Sequence, residues 1–216
     1  MPNEVWGVDS AASVTQALYN CVINNFGKPS YWGRYLTTVP NVSEGLTESE
    51  ASFIRRNGIR ILPIYNDFNS AVGYRNGRVT AANAIFHARR LNYPEGNFVF
   101  ANTERSFDID EAWIRGWVDA LYPSGYRPGI YADPSTSNFN EAYCAAVANN
   151  AEVSNQLVIW SQEPTPGPTR KRDAPAYNPI TPRCQANVWG WQYGENAEEC
   201  PIDTNLFDTR LLEGLW

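Results

Sequence analysis

The sequence has little of what several common enzyme mechanisms require. His87 is the only histidine among the 216 residues. A single histidine argues against a Ser-His-Asp triad and against a His-ligated zinc site. There is no P-loop and no Gly-x-Gly-x-x-Gly stretch, which argues against a nucleotide cofactor. We expect the function of this chain to need neither a cofactor nor a metal.

Long basic runs and long apolar runs are also missing. The chain carries 17 basic and 23 acidic residues for a net charge of -6, and its largest basic cluster is Arg170 to Arg172. We therefore expect no nucleic-acid partner. No apolar stretch approaches the length of a membrane span, and we expect no membrane partner. The N-terminus lacks a basic region followed by an apolar one, so either the chain is not secreted by that route or a signal was removed.

The cysteines are few, and none stands in a Cys-x-x-Cys spacing. An even number without that spacing favours disulfides in an exported protein over a zinc site, and it predicts a secreted or cell-wall-associated protein. The alternative is four buried thiols in a cytosolic protein. Two of the cysteines flank a Trp-rich segment, and we predict that they pair with each other: Cys184 and Cys200.

Aromatic residues, by contrast, are abundant, with 8 Trp, 12 Tyr and 9 Phe. Aromatics that the core does not need often form platforms for flat apolar ligand faces such as sugar rings. The length suits one domain with a full core, and α/β barrels of this size are common. We expect a single domain over residues 1–216 that acts as a monomer.

Strands and helices alternate through the first two thirds of the chain. Apolar runs predict strands near residues 4–9, 31–36, 59–66, 97–101 and 127–133, each followed by a helical pattern. Capping patterns at Ser13 and Thr47 predict the starts of the first two helices. Five βα units imply a parallel sheet with right-handed crossovers.

This alternation stops after residue 160. Strands are predicted at residues 157–160, 188–193 and 202–207, but residues 163–187 are rich in proline and carry no helical stripe. Five βα units followed by three strands with little helix can still close a barrel. The predicted fold is therefore α/β, a TIM-like barrel of that composition.

The stretch from Asn97 to Glu104 is the most informative about function. Its apolar run suits a strand buried on both faces, and it ends in Asn102 and Glu104. Side chains two apart on a strand point the same way, so both would emerge at the carboxyl end, where parallel barrels place their chemistry. The alternative is a capping Asn and a solvated Glu in a turn.

Short elements spread over nearly the whole chain carry a resemblance to a known family. They include Gly7-Val-Asp9-Ser, Gly33-Arg-Tyr-Leu36, Leu62-Pro-Ile-Tyr65, Gly125-Tyr-Arg-Pro-Gly-Ile-Tyr131, and Asp203-x-Asn205. In their order and spacing the chain resembles the glycoside-hydrolase-like domain family of unknown function that is related to the family 25 muramidases. The resemblance implies the barrel described above. It also accounts for Pro63 inside a predicted strand, where proline is otherwise unexpected.

The resemblance also implies site residues. Asp9 matches the acidic residue that ends the first strand in those muramidases, and Glu104 matches the Glu that acts as general acid. Asp203 resembles the Asp near the last strand. The fourth-strand Asp falls on Asn102, where this sequence departs from the family pattern.

Cleavage of a glycosidic bond needs a protonated carboxyl beside the leaving oxygen and a second anionic group near the anomeric carbon. We expect Glu104 to be the acid, with Asp9 and Asp203 as its anionic partners. Glu163 and Asp133 also end strands and are reserve candidates. Substrate contacts are expected from residues at strand tips, although about half of the aromatics there would be ordinary core: Asn102, Arg34, Tyr35, Tyr65, Asn66, Tyr131, Trp160, Trp191, Gln192 and Tyr193. The alternative for Arg34 is that it pairs only with the surface of a helix.

Three hypotheses follow from the sequence. The first is a glycoside hydrolase of muramidase type that cleaves β-1,4 bonds in peptidoglycan or a related amino-sugar polymer. The second is a catalytically impaired barrel that binds such a glycan, because Asn102 cannot supply the charge of the family Asp. The third is an interaction scaffold, since a fold does not by itself imply a function.

Overall fold

The computed structural model describes residues 4–103 and 108–216. Its first half alternates strand and helix as expected. The elements in this part are β1 (Glu4–Asp9), α1 (Gln16–Asn25), β2 (Tyr31–Tyr35), α2 (Glu48–Arg56), β3 (Arg60–Tyr65), α3 (Tyr74–Arg90), β4 (Phe98–Asn102), α4 (Glu111–Leu121) and β5 (Arg127–Ala132).

The second half contains fewer long helices. Two helices, α5 (Ser137–Asn149) and α6 (Ala151–Gln156), lead to β6 (Val158–Gln162). Residues 163–186 hold only one short 3-10 turn, at Lys171–Asp173. The chain then forms β7 (Asn187–Gly194), β8 (Asp203–Asp208) and α7 (Thr209–Leu212). The predicted pattern of five βα units followed by three strands is confirmed, with α6 as an addition that the sequence did not indicate.

The eight strands close into one barrel in chain order, β1 to β8. Neighbouring strands from β1 to β7 are parallel, whereas β8 is antiparallel to both β7 and β1. The start of β8 therefore lies at the same end of the barrel as the carboxyl ends of the other strands. In the register of the closure, Asp203 is the partner of Asp9.

The core has two layers because side chains alternate along each strand. One set fills the barrel interior, for example Leu62, Phe100 and Phe207. The other set packs between the sheet and the surrounding helices, for example Val8, Ile61 and Trp117. This alternation decides which residues can reach the open ends of the barrel.

Helix starts follow side-chain capping, with one difference from the expectation. The Thr47 hydroxyl accepts from the backbone N–H of Glu50 at the start of α2, as predicted. At α1 the prediction of Ser13 is wrong, because Thr15 is the N-cap and its hydroxyl accepts from the N–H of Leu18. The N–H of Ser13 instead donates to the Glu44 carboxylate at 2.7 Å, which ties the β1–α1 loop to the β2–α2 loop.

Pro63 fits in β3 because of which neighbour its nitrogen faces. Even-numbered residues of β3 bond to the β2 side, as in the bond from the N–H of Leu36 to the carbonyl of Ile64. Odd-numbered residues face β4, but the pairing of β3 with β4 begins only at Ile64. Below that point Ile61 exchanges hydrogen bonds with Trp216 instead. The missing donor of Pro63 thus falls where the two strands are not yet paired.

The four cysteines form two disulfides, and the predicted pairing of Cys184 with Cys200 is wrong. Cys21 of α1 is bonded to Cys200 in the β7–β8 loop, and Cys144 of α5 is bonded to Cys184 in the proline-rich segment. Each bridge links a helix of the outer layer to a segment without regular structure. Cys184 and Cys200 are therefore each paired with a cysteine of a neighbouring helix and not with each other across the Trp-rich strand.

None of the helices in the described ranges combines the length and the apolar character that a membrane span requires.

Candidate functional site

Polar side chains from several strands meet at one end of the barrel, which we call the mouth. The mouth is formed by Asp9, Asn102, Gln192, Asp203 and Asn205. Each is carried on the inward-facing side of its strand, at the carboxyl end of β1, β4 or β7 or at the start of antiparallel β8. Below them the barrel interior is filled with apolar and aromatic side chains. The mouth is therefore the place where the interior of the barrel becomes polar.

Asp9 is buried and held by two side-chain amides. Its Oδ1 accepts a hydrogen bond from Asn205 Nδ2 at 2.7 Å and another from Gln192 Nε2 at 3.1 Å. Gly33 on β2 permits this packing, since a Cβ at that position would lie 2.5 Å from the Cβ of Asp9. A side chain at position 33 would displace the carboxylate.

Asp203 shares one of those amides and also organises a loop. Its Oδ2 accepts from Gln192 Nε2 at 3.4 Å, and its Oδ1 accepts from the backbone N–H of Asn196 at 2.6 Å. Asn196 adopts a positive φ of 56°, a conformation that asparagine tolerates better than most residues. One nitrogen of Gln192 therefore lies within hydrogen-bonding reach of both Asp9 and Asp203, which brings these two predicted residues together.

Asn102 ends β4 at the mouth, as expected. It is 8% exposed, and its Nδ2 donates to the hydroxyl of Tyr35 at 3.3 Å. Glu104, the predicted general acid, lies outside the described residues. Its role remains a prediction.

Tyr131 and Trp160 face the barrel interior beneath the mouth and are almost completely buried. The Tyr131 hydroxyl donates a hydrogen bond to Gln192 Oε1. Trp160 Nε1 donates to Asn205 Oδ1 at 3.0 Å. Both predicted substrate contacts thus support the polar residues above them, and Trp160, at 1% exposed, offers no ring face to a ligand.

Arg34 does not lie in the mouth, which corrects its predicted role in substrate binding. It neighbours Tyr35 on β2 and so points to the opposite, helix-facing side of the sheet. There it is fully buried and bonds to Glu50 of α2, with Nε 2.6 Å from Oε1. Its Nη1 also donates to the carbonyl of Ser10 at 2.6 Å and its Nη2 to the carbonyl of Glu44 at 2.8 Å. Arg34 fixes the two loops beside Asp9.

Three of the predicted groove aromatics likewise face the helices. Tyr65, Trp191 and Tyr193 belong to the outer core and are between 0% and 5% exposed. The Tyr65 hydroxyl donates to the carbonyl of Asp67, and burial raises the pKa of Tyr65 to about 12. The physical reason is again alternation, because Trp191 and Tyr193 flank Gln192 and only one of two neighbours can face inward.

The remaining polar candidates serve local structure. Asn66 donates to the Ser43 hydroxyl at 3.0 Å in the neighbouring loop. The reserve candidate Glu163 accepts from the N–H of Ile180 at 2.6 Å, which holds the proline-rich segment. Asp133 accepts from the N–H of Ser135 at 2.8 Å in a tight turn. These contacts orient loops around the barrel end.

Asn205 is the mouth residue that sequence reasoning missed. In the sequence it stands in the Asp203-x-Asn205 element. The spacing of two along a strand places it on the same side as Asp203, so the signal was present. It is completely buried and contacts both Asp9 and Trp160.

Tyr31 is a further ionisable group inside the barrel. Its ring lies over Gly7, where a Cβ would come within 2.4 Å of it. Burial, followed by the negative charge of Asp9, raises the pKa of the Tyr31 hydroxyl well above its usual value. Tyr31 is therefore neutral at ordinary pH.

Across residues 4–103 and 108–216, no three His, Cys, Asp or Glu side chains are grouped so that they could hold a metal ion.

Comparison with known proteins places the chain in a family. The family model described as Rv2525c-like, glycoside hydrolase-like domain matches residues 28–199. An uncharacterized B. stearothermophilus protein of known crystal structure is 57% identical to this chain. The match covers 98% of this chain and 100% of that protein, and the two superpose with a TM-score of 0.97. No curated protein sequence matches this chain significantly.

More distant structures share the barrel. The Clostridium perfringens spore cortex lytic enzyme SleM is 15% identical, with 96% of this chain and 68% of that chain covered and a TM-score of 0.63. A family GH25 lysozyme from Aspergillus fumigatus is 14% identical, with 97% and 98% covered and a TM-score of 0.54. At these identities the likeness shows the fold alone, a barrel that resembles those of GH25 lysozymes. On the family match and its 57% identical relative, this chain belongs to the Rv2525c-like, glycoside hydrolase-like domain family.

Proposed function

We propose that this protein is a glycoside hydrolase of muramidase type that cleaves β-1,4 bonds in peptidoglycan or a related amino-sugar polymer. The observation that carries the proposal is the pair of carboxylates, Asp9 and Asp203, joined by the amide of Gln192 at the mouth. Structural neighbours named as lysozymes and as a cortex lytic enzyme share the fold and support the substrate class. Two disulfides fit an extracellular or wall-directed location.

Each residue has a defined role in this proposal. Glu104 protonates the glycosidic oxygen as the bond breaks. Asp9, held by two N–H donors, stabilises the positive charge that develops on the sugar ring, and Asp203 orients or activates the water. Carboxyl groups about 5 Å apart favour retention of configuration, and separations of about 6.5–9.5 Å favour inversion.

Asn102 departs from the family pattern and determines the second candidate function. An amide can still hydrogen-bond to an acetamido group of the substrate, but it carries no charge to stabilise a cationic intermediate. If that charge is indispensable, the barrel binds the glycan without cleaving it. The proposal of a hydrolase assigns the anionic role to Asp9 and Asp203 instead.

The test is the release of reducing ends from purified peptidoglycan and from chitin oligomers. We expect the unaltered chain to release them and Glu104→Gln to lose about 10²–10⁴-fold in rate, the usual contribution of a general acid. Asp9→Asn keeps the shape of the side chain and removes its charge, and it should also lose most activity. Asp173→Asn is the matched control, because it removes a carboxylate that is 58% exposed and pairs with Arg172 at the surface.

The outcomes separate the hypotheses. Release that survives in Glu104→Gln contradicts the assignment of the acid. Glycan binding by the unaltered chain without release, together with release by Asn102→Asp, supports the binding barrel. If the chain neither binds nor cleaves these glycans, both hypotheses are contradicted and the interaction scaffold is left.

A further inference from the structure

Trp160 occupies an unusual place for a tryptophan near a glycan site. It lies on the inward side of β6, and its ring packs against Tyr131, Phe207 and Phe100 with centroids 4.4, 5.6 and 6.0 Å away. Only 1% of it is exposed, so it cannot stack on a sugar. Its one polar atom, Nε1, points at Asn205.

The indole nitrogen fixes the orientation of the Asn205 amide. An indole N–H can only donate a hydrogen bond, so the atom of Asn205 that faces it at 3.0 Å must be the oxygen. The NH₂ group of Asn205 is then forced to the other side, where it lies 2.7 Å from Asp9 Oδ1. A flipped amide would present an oxygen to the carboxylate and a nitrogen to the indole, and both contacts would be repulsive.

Gln192 approaches Asp9 in a parallel arrangement, but with a weaker constraint. Its Oε1 receives the Tyr131 hydroxyl, so its Nε2 faces Asp9 and Asp203. A hydroxyl can donate or accept, so Tyr131 would allow either orientation of the amide. Trp160 is therefore the member of this network that permits only one arrangement.

Other charges also act on Asp9. Asp203 on β8 is the register partner of Asp9 and accepts from the same Gln192 nitrogen, so its carboxylate disfavours a negative charge on Asp9. Tyr31 on β2 is neutral, and the buried guanidinium of Arg34 bonds to the carbonyl of Ser10 beside Asp9. Glu104, which follows β4, lies outside the described residues. Beside that carboxylate, the N–H donor from Asn205 favours the ionised form of Asp9.

We propose that Trp160 is a positioning residue that, by orienting Asn205, keeps Asp9 ionised and so reserves the proton-donor role for another group. The assignment of Asp9 as a catalytic anion rests on the proposed function. The orientation of Asn205 and its effect on Asp9 do not, because they can be measured without any turnover.

The experiment is a pH titration of the Asp9 carboxyl carbon by NMR, with the signal assigned by its loss in Asp9→Asn. In Trp160→Phe the ring remains but the N–H is gone, and we expect the pKa of Asp9 to rise by about one unit. Trp191→Phe is the matched control. It removes a buried indole N–H on the adjacent strand, one that faces the helices and has no hydrogen-bond partner among the described residues. This control should leave the Asp9 titration unchanged.

A second comparison shows whether Trp160 acts through Asn205. In an Asn205→Ala background the pKa of Asp9 should already be raised, and Trp160→Phe should add no further shift. An unchanged titration in Trp160→Phe, or a shift of equal size in both backgrounds, would overturn the proposal.

The unaltered chain provides a test that does not depend on Trp160→Phe or Asn205→Ala folding. The indole N–H resonance of Trp160 should shift with the same midpoint as the Asp9 carboxyl, whereas that of Trp191 should not. If the Trp160 resonance is insensitive to this titration, the proposal is wrong. A chain that passes these tests but releases no sugar refutes the proposed function and leaves the inference intact.

Discussion

Removal of the Arg34 guanidinium should destabilise the barrel more than removal of any surface charge. Arg34 is fully buried, and its charge is matched by Glu50, which is itself buried. In Arg34→Met the apolar stem is largely retained, but Glu50 is left as an unpaired carboxylate. The carbonyls of Ser10 and Glu44 lose their donors in the same step.

The magnitude follows from this burial. Removal of one partner of a buried ion pair costs about 3–5 kcal/mol, because the other charge remains out of water. Glu50 keeps one hydrogen bond, from the N–H of Val14 at 2.7 Å, which places the expected loss near 3 kcal/mol rather than 5. Arg34→Lys keeps the charge but cannot make the bidentate contacts of a guanidinium. Its free energy of unfolding should therefore lie between those of the unaltered chain and Arg34→Met.

Equilibrium unfolding in urea, with disulfides intact, measures these differences. Arg115→Met is the matched control, since Arg115 pairs with Glu111 at the same 2.6 Å but both side chains are about 30% exposed. An exposed pair of this kind contributes about 0.3–0.5 kcal/mol. The double variant Arg34→Met with Glu50→Gln should recover about 1–2 kcal/mol, because no buried charge is left unpaired.

If Arg34→Met and Arg115→Met lose the same free energy of unfolding, the reasoning from burial is refuted. The same holds if the double variant is less stable than Arg34→Met alone.

Two further predictions concern the disulfides and the only histidine. Replacing both Cys21 and Cys200 by Ser should lower the free energy of unfolding by about 5 kcal/mol, and replacing Cys144 and Cys184 by about 4 kcal/mol, because the bridges span 179 and 40 residues. Thermal unfolding that ranks the two variants in the opposite order contradicts the loop-length argument. Burial, with Arg90 nearby, lowers the pKa of His87 below its usual value. The unfolded chain then binds more protons than the folded chain, so stability should fall as pH drops from about 6.5 through that lowered pKa. His87→Gln should remove this part of the acid sensitivity, which urea titrations at about pH 7 and about pH 5 measure. If acidification raises the stability of the unaltered chain but not that of His87→Gln, the argument that burial favours the neutral imidazole of His87 is contradicted.

The strands were predictable because each is an apolar run that ends in polar residues. The alternation of neighbouring side chains was equally available, and it would have separated Gln192 from Trp191 and Tyr35 from Arg34. The expectation that about half of the strand-tip aromatics are core rested on this alternation, but it did not assign individual neighbours to opposite sides of the sheet. That error was one of reasoning, since the information was present.

Other features depend on contacts between distant segments and could not be predicted. The partner of Cys200 is a helix residue 179 positions away, and nothing in local sequence identifies it. The hydrogen bond between Trp160 and Asn205 likewise requires the interior packing of the closed barrel. The amide orientation at the mouth is a property of the assembled structure.

The pairing of β1 with antiparallel β8 has a consequence for how the site comes into being and how it can be lost. This seam joins residues almost the whole chain apart, and closing contacts of such separation costs loop-closure entropy and slows folding. Asp9 lies on one side of it and Asp203 on the other. Opening the seam would separate these two carboxylates while the parallel strands β1 to β7 stay paired, and the Cys21–Cys200 bridge spans the same two regions. Loss of the Cys21–Cys200 bridge would therefore remove a covalent restraint between the two sides of this seam.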